Sequence, residues 1–562
     1  MKKITLTFVC VFFAQLLFAQ TARVQIIHNS PDAAVQEVDV YINGNLELDD
    51  FEFRTATPFV DLPAGVTLTI DVAPNNSTSA SDAIASFNFN LASNETYIAI
   101  ADGIVSTTGY NPSPSFDIEV YPLGQEAAAN PSEVDVLVYH GSTDAPTVDI
   151  VETGVGAGVV VDDISYTNFD GYLQLPVADY TLEVQDASNT TTIASYEAPL
   201  STLGLTGGAA VALASGFVDP SVNSGGPEFG IWVALPTGGN LVELANSTAR
   251  LQVIHNSADA AASTVDLYLN GEMLQDNFEF RTATPFLDFP AGVEAEIAVA
   301  PGNSTDVSDA IATFPVTLQA NETYIAVADG IVSPTGYNPA PAFGLEVYSG
   351  ARETAMTSGN VDVLVHHGST DAPTVDVVET GIGAGTLVDD ISYTDFQGYL
   401  ELGVEDYTID IRDENNTTTV ASYLAPLSTL NLQDQALTVV ASGFLDPSVN
   451  SDGEGFGLWV ATANGGDMIP LPENPLSVNN FEKNNIALYP NPTDNVLTIN
   501  GLVEASYEVR FFDMQGRMIK NVEVENGNSI PSISLGDLNS GVYQVAIYSE
   551  NNLIESKRLI KK

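Results

Sequence analysis

The chain has 562 residues and a formal net charge of −57, from 16 Lys or Arg against 73 Asp or Glu. At roughly 100–150 residues per domain, that length holds about four or five domains, and a hydrophobic content of 44% is enough to give each a core. Between residues 21 and 479 the cations are Arg23, Arg54, Arg250, Arg281, Arg352 and Arg412, with no lysine; so acidic a surface repels nucleic acid and lacks the basic cluster that anionic lipid needs, leaving metal cations and basic surfaces as partners.

The N-terminus reads as a signal peptide over residues 1–19. Lys2 and Lys3 precede an apolar stretch from Ile4 to Phe18, too short and wrongly flanked for a transmembrane helix. Cleavage is expected between Ala19 and Gln20, although Leu17 departs from the usual small-x-small pattern. Cys10, the single cysteine, would leave with the signal, so no disulfide is expected. No later segment is apolar for long enough to span a membrane.

The next signal is repetition. Phe51-Glu-Phe-Arg-Thr-Ala-Thr-Pro-Phe59 recurs unchanged at Phe278 to Phe286, an offset of 227 shared by Asn94 to Tyr97 and Gly216 to Pro220. Each long unit divides again, because His28-Asn-Ser-Pro-Asp-Ala33 resembles His140-Gly-Ser-Thr-Asp-Ala145. Four related modules follow in A-B-A-B order, at about 21–127, 131–242, 248–352 and 358–470. Val38, Val40 and Ile42 alternate with Asp39 and Tyr41, the period of a half-buried strand. Asn43-Gly44 and Asn270-Gly271 are type I′ hairpin signals, and Thr67 to Val72 and Tyr97 to Ala101 are further strands. The expected fold is all-β, a tandem array of Ig-like β-sandwiches.

Arg23-Val-Gln-Ile-Ile-His28, Ser30-Pro-Asp-Ala-Ala34, Val38-Asp-Val-Tyr41, Asn43-Gly44 and Leu62-Pro-Ala-Gly65 together resemble the bacterial family catalogued as domain of unknown function 4397. The resemblance covers most of residues 21–470 and is strongest in modules 1 and 3. It implies extracellular β-modules and no assigned chemistry.

From about residue 480 the charge becomes nearly balanced. Residues 471–483 read as a linker and 484–562 as a last β-domain. Tyr489-Pro490-Asn491-Pro492, then Gly516-Arg517, then Gly541 and Tyr543, then the terminal Lys561-Lys562 resemble the type A C-terminal sorting domain of the type IX secretion system. That resemblance implies a small β-sandwich, recognition by the type IX machinery of a Bacteroidota-type bacterium, and proteolytic removal of the tail. The passenger is then released or fixed to surface lipopolysaccharide.

His28, Ser30 and Asp32 invite a hydrolase reading. However, all three sit on one short segment, and the set recurs at His140, His255 and His367, which suits a repeated turn better than four active sites. Catalysis is therefore not expected, and no cofactor is required. Calcium is the one metal the carboxylates suggest, through Asp49-Asp50, Asp162-Asp163 and Asp389-Asp390 at one recurring position. Gly154 to Gly158 and Gly381 to Gly385 have neither the dinucleotide spacing nor a following helix and read as turns. Tyr110, Tyr337, Trp232 and Trp459 could stack on sugar, or lie in cores and turns. The expected function is a secreted or cell-surface adhesion protein with a polysaccharide or matrix ligand. The alternatives are a calcium-binding or structural spacer and, distantly, a hydrolase.

Overall fold

A computed structural model describes residues 20–475, 486–501, 506–525, 532–549 and 552–562. The signal peptide with Ala19, and most of the expected linker, lie outside them. The chain forms two compact units, Met1–Glu473 and Asn474–Lys562. The expected linker start at 471 moves later, because Leu471 is buried in the core of module 4 and Leu424 N–H donates to Pro472 C=O. Among the described residues no helix is long and apolar enough to cross a membrane.

Module 1 shows the plan. Its strands are β1 (Thr21–His28), β2 (Glu37–Ile42), β3 (Asn45–Glu52), β4 (Thr55–Ala56), β5 (Val60–Pro63), β6 (Thr67–Pro74), β7 (Ala85–Asn90), β8 (Thr96–Asp102) and β9 (Asp117–Tyr121). One sheet has the order β3-β2-β6-β7 and is antiparallel throughout; the other runs β4-β1-β8-β9, with β5 also on β1. β1 and β8 pair in parallel, from Arg23 opposite Thr96 to His28 opposite Ala101. The β2–β3 hairpin turns at Asn43 and Gly44, with φ of 52° and 84°, the left-handed pair a type I′ turn requires.

The β1-containing sheet is covered on both faces. Ala22, Val24 and Ile26 point into the core of module 1, while Ile27 packs with Ile98 and Ile100 against Leu137, Tyr139, Val211 and Leu213 of module 2. Those four lie on Glu133–His140 and Ala209–Ser215, the parallel centre of module 2's equivalent sheet. Modules 1 and 2 therefore stack sheet on sheet, and Ile254, Ile325, Val327, Leu364 and Val440 repeat the seam between modules 3 and 4. Modules 2 and 3 meet more thinly at the buried Ser247, whose N–H donates to Ser195 C=O and whose C=O accepts from Ala291 N–H.

Candidate functional site

The repeated Phe51–Phe59 segment builds the seam. Arg54 takes a φ of 59° and sends its guanidinium across to module 2. Nε donates to Ser215 Oγ at 3.0 Å, and Nη2 donates to Ser215 C=O at 3.1 Å and Glu228 C=O at 2.8 Å. Its Cζ lies 4.1 Å from the centroid of the Trp232 ring, a cation–π stack. Thr55 and Ala56 pair with Gly239–Asn240 of module 2, and Phe59 is buried among the seam residues. Arg281 repeats the clasp on Ser442, Gly455 and Trp459. Burial pushes both guanidinium groups down to about 10, which leaves them charged at neutral pH.

Polar groups fill the middle of each seam. Tyr139 Oη donates to Asp102 Oδ2 at 2.9 Å, and Asn29 Nδ2 donates to Gly141 C=O at 3.1 Å across the modules. In the second pair His366 stands where Tyr139 stands, its Nε2 2.6 Å from Asp329 Oδ2. Its neighbour His367 faces the other way, with Nε2 3.1 Å from Pro373 C=O.

The His-Ser-Asp set is a turn clasp. His28 is fully buried with Nε2 2.7 Å from Val35 C=O, and burial lowers its pKa to about 4. Ser30 Oγ donates to Gly103 C=O at 2.6 Å rather than to the imidazole. Asp32 accepts from the N–H groups of Ala34, Val105 and Ser106 at 3.0, 2.8 and 2.6 Å. Burial pushes this carboxyl up, but those bonds outweigh it and hold its pKa below the ordinary value.

The recurring acidic pairs sit on a β-bulge. Asp50, Asp163, Asn277 and Asp390 share φ values of 50–53°. Each N–H donates to a carboxylate on the neighbouring strand: Asp39 at 3.2 Å, Asp149 at 2.6 Å, Asp266 at 2.9 Å and Asp376 at 2.8 Å. Asn and Asp tolerate this left-handed backbone best, so conformation explains the recurrence, and the Asn in module 3 fits that reason and not a charge requirement. Asp39, Asp49 and Asp50 bring one oxygen each within 4.8 Å of one another. Partial desolvation and the charges of Asp49, Asp39 and Glu37 push the Asp50 carboxyl up. Asp162 and Asp389 are exposed beside their bulges.

The glycine-rich turns hold an anion, and it is their own. The Glu152 carboxylate accepts from the N–H groups of Val155 and Ala157, both at 2.9 Å, and Glu379 accepts from Gly381, Ile382, Gly383 and Ala384. The loop aromatics are also committed. Tyr110 Oη accepts from Ala33 N–H at 3.0 Å while its ring packs 5.6 Å from Phe217 of module 2, and Tyr337 repeats this on Ala260 and Phe444. These aromatics and Trp232 are struts of the seam. Sequence reasoning missed that Arg54 and Arg281 join modules, although the unchanged Phe51–Phe59 repeat was the available signal.

The sequence profile described as a domain of unknown function, DUF4397, matches residues 22–124, 134–213, 249–378 and 361–451. The chain belongs to the DUF4397 family. No curated protein matches this DUF4397 chain. Among solved structures, the Bacillus anthracis TIE protein aligns at 9% identity and a TM-score of 0.14, over 73% of this chain and 66% of that one. A Bacteroides ovatus mixed-linkage glucan utilization locus protein, SGBP-B, solved with a mixed-linkage heptasaccharide, aligns at 13% identity and a TM-score of 0.10, over 84% and 98%. Scores this low establish no common arrangement.

After the DUF4397 repeats, a secretion system C-terminal sorting domain matches residues 487–562 and marks the chain for type IX export in Bacteroidota-type bacteria. Two of its motifs, around Asn491 and Tyr543, meet at the last strand, Asn552–Lys561, and the Gly516-Arg517 motif forms a separate turn. Asn491 Nδ2 donates to Arg558 C=O at 2.7 Å and Asn491 Oδ1 accepts from Ile560 N–H at 2.9 Å, so Tyr489 to Pro492 is clipped to that strand. Tyr543 pairs with Leu559, and its hydroxyl donates to Asn539 C=O at 2.8 Å just before Gly541. Gly516, with φ of 78°, closes a turn in which Arg517 Nε donates to Asp513 Oδ2 at 2.8 Å. Lys561 is nearly buried, and its Nζ donates to the Lys562 main-chain oxygen at 2.9 Å.

Proposed function

We propose that the chain is exported to the outer cell surface or the medium and works there as a modular binding or adhesion protein, not as an enzyme. The carrying observation is where the cations of the repeats go. Arg54 and Arg281 clasp the seams, while Arg23, Arg250, Arg352 and Arg412 pair with Glu126, Glu353, Asp362 and Asp410. The carboxylates left facing solvent favour a basic polymer, or a polysaccharide or matrix bridged by divalent cations. Removal of the tail and attachment to surface lipopolysaccharide belong to this reading. The histidines, serines and aspartates that suggest hydrolysis are bound into turns in four copies.

A calcium-dependent spacer is the second reading, favoured by the Asp39, Asp49 and Asp50 oxygens. Three carboxylates fall short of the six to eight oxygens calcium takes, and Asp39 already accepts from Asp50 N–H and Ser77 Oγ. The test is a polysaccharide and matrix pull-down with the purified chain, in calcium and in EDTA. Saturable retention of one polymer supports adhesion. No retention in either condition overturns it, and a calcium-dependent rise in melting temperature without retention points to the spacer.

A further inference from the structure

The two B modules are hollow. Between the sheets of module 2 lies a cavity of about 110 Å³, and module 4 repeats it at about 90 Å³, against a gap of about 30 Å³ in module 1. The cross-strand pairs around the cavities differ between the two module types. In module 1, Leu68 stands opposite Phe89 and Ile70 opposite Phe87. The same ladder positions hold Tyr180 opposite Ala198 and Leu182 opposite Tyr196 in module 2. In module 4 they hold Tyr407 opposite Ala425 and Ile409 opposite Tyr423. Each B module thus carries a tyrosine where module 1 has Leu68 and an alanine where it has Phe89, so one ring moves to the opposite strand, and Ala198 and Ala425 both line the voids. Module 4 also carries Leu437 and Val439 where module 2 has Ala210 and Ala212, in keeping with its smaller cavity.

The walls are almost wholly aliphatic and aromatic, so water gains few partners inside, and an apolar void of this order stays dry and takes up small apolar molecules. We infer that modules 2 and 4 each bind one small uncharged apolar molecule, a single aromatic ring or a short alkyl chain, between their sheets. An ion would lose its hydration there without replacement. In module 2 the cavity reaches Glu152 and Ala157 of the glycine-rich turn, where a Cβ on Gly156 or Gly158 would meet nothing within 4 Å.

The test uses the full chain with benzene in solution and xenon in pressurised crystals. Two xenon positions are expected, one inside each B module, together with saturable benzene uptake that raises the melting temperature. Ala198→Phe, which adds a ring to the cavity wall, should remove one site, and Ala198→Phe with Ala425→Phe should remove both. Leucine at both positions serves if phenylalanine prevents folding. Failure of the wild type to take up either molecule, or uptake unchanged in the folded double variant, overturns the inference.

Discussion

Arg54 shows how one side chain can hold two domains together. Its guanidinium spends three donors on module 2 and stacks on Trp232, a planar fork that lysine cannot reproduce. Arg54→Lys should therefore cost about 2 kcal/mol or more, visible as a lower melting temperature, while a Glu228→Gln variant, which keeps the accepting carbonyl, should melt like the wild type. Asp102 makes the same seam sensitive to pH. Burial pushes its carboxyl up to about 7, against the bonds from Gly103, Tyr139 and Asn29, with Tyr166 also facing it. An acid raised in the folded state contributes stability that is complete below its unfolded pKa of about 4 and is lost as pH rises through about 7. His28 runs the other way: lowered to about 4, it contributes stability complete above about 6.5 and lost as pH falls toward 4. The two effects oppose each other between about pH 4 and 6.5, and Asp102 alone acts from about 6.5 to 7. Melting temperature should thus fall over that last interval and level off above it, and Asp102→Asn should remove the fall and steepen the acid limb that His28 sets.

Among the elements, β1 and β8 differ from β2 and β6. β6 alternates buried and half-buried positions from Leu68 to Val72. β2 alternates in sequence but is buried from Val38 to Ile42, where Ser77 bonds Asp39 and Tyr41 on its second face. β1 and β8, in contrast, are covered on both faces by packed sheets and read as nearly unbroken apolar runs, Val-Gln-Ile-Ile and Tyr-Ile-Ala-Ile. Gln25, the polar residue in the first run, reaches the carbonyls of Thr57 and Leu235, the latter in module 2. The β3 bulge obeys backbone geometry more than charge. Asp50→Asn should leave the melting temperature within about a degree, since Asn277 already occupies the equivalent place. Asp50→Val should cost about 1–2 kcal/mol, because a β-branched side chain resists a positive φ. Loss of calcium binding in Asp50→Asn with stability intact would instead show that the charge matters.

For the repeats as a whole, the folding unit is the pair. An isolated module 1 would expose Ile27, Ile98, Ile100 and Phe59, which the seam covers, so residues 21–127 alone should aggregate or unfold while residues 21–247 give a cooperative monomer. Size-exclusion chromatography and thermal unfolding of the two fragments check this, and a soluble, equally stable single module would contradict it.

Much of this protein was legible along the chain. Strand period, the Asn-Gly turns, the offset of 227 and the terminal motifs report local backbone geometry or copying, and both survive in one dimension. The all-β class, the family and the sorting domain came from them. What only the tertiary structure decided is what each side chain faces. Tyr110 and Trp232 look alike as sugar platforms or as struts until Phe217 and Arg54 are brought beside them. That Asp50 takes a left-handed φ, and that Asp39 stands beside it, is likewise seen only in the fold. The pairing of modules stayed hidden because it depends on contacts between residues more than 100 positions apart, as from Ile27 to Leu137, and such contacts follow from the packing of whole sheets rather than from any local pattern.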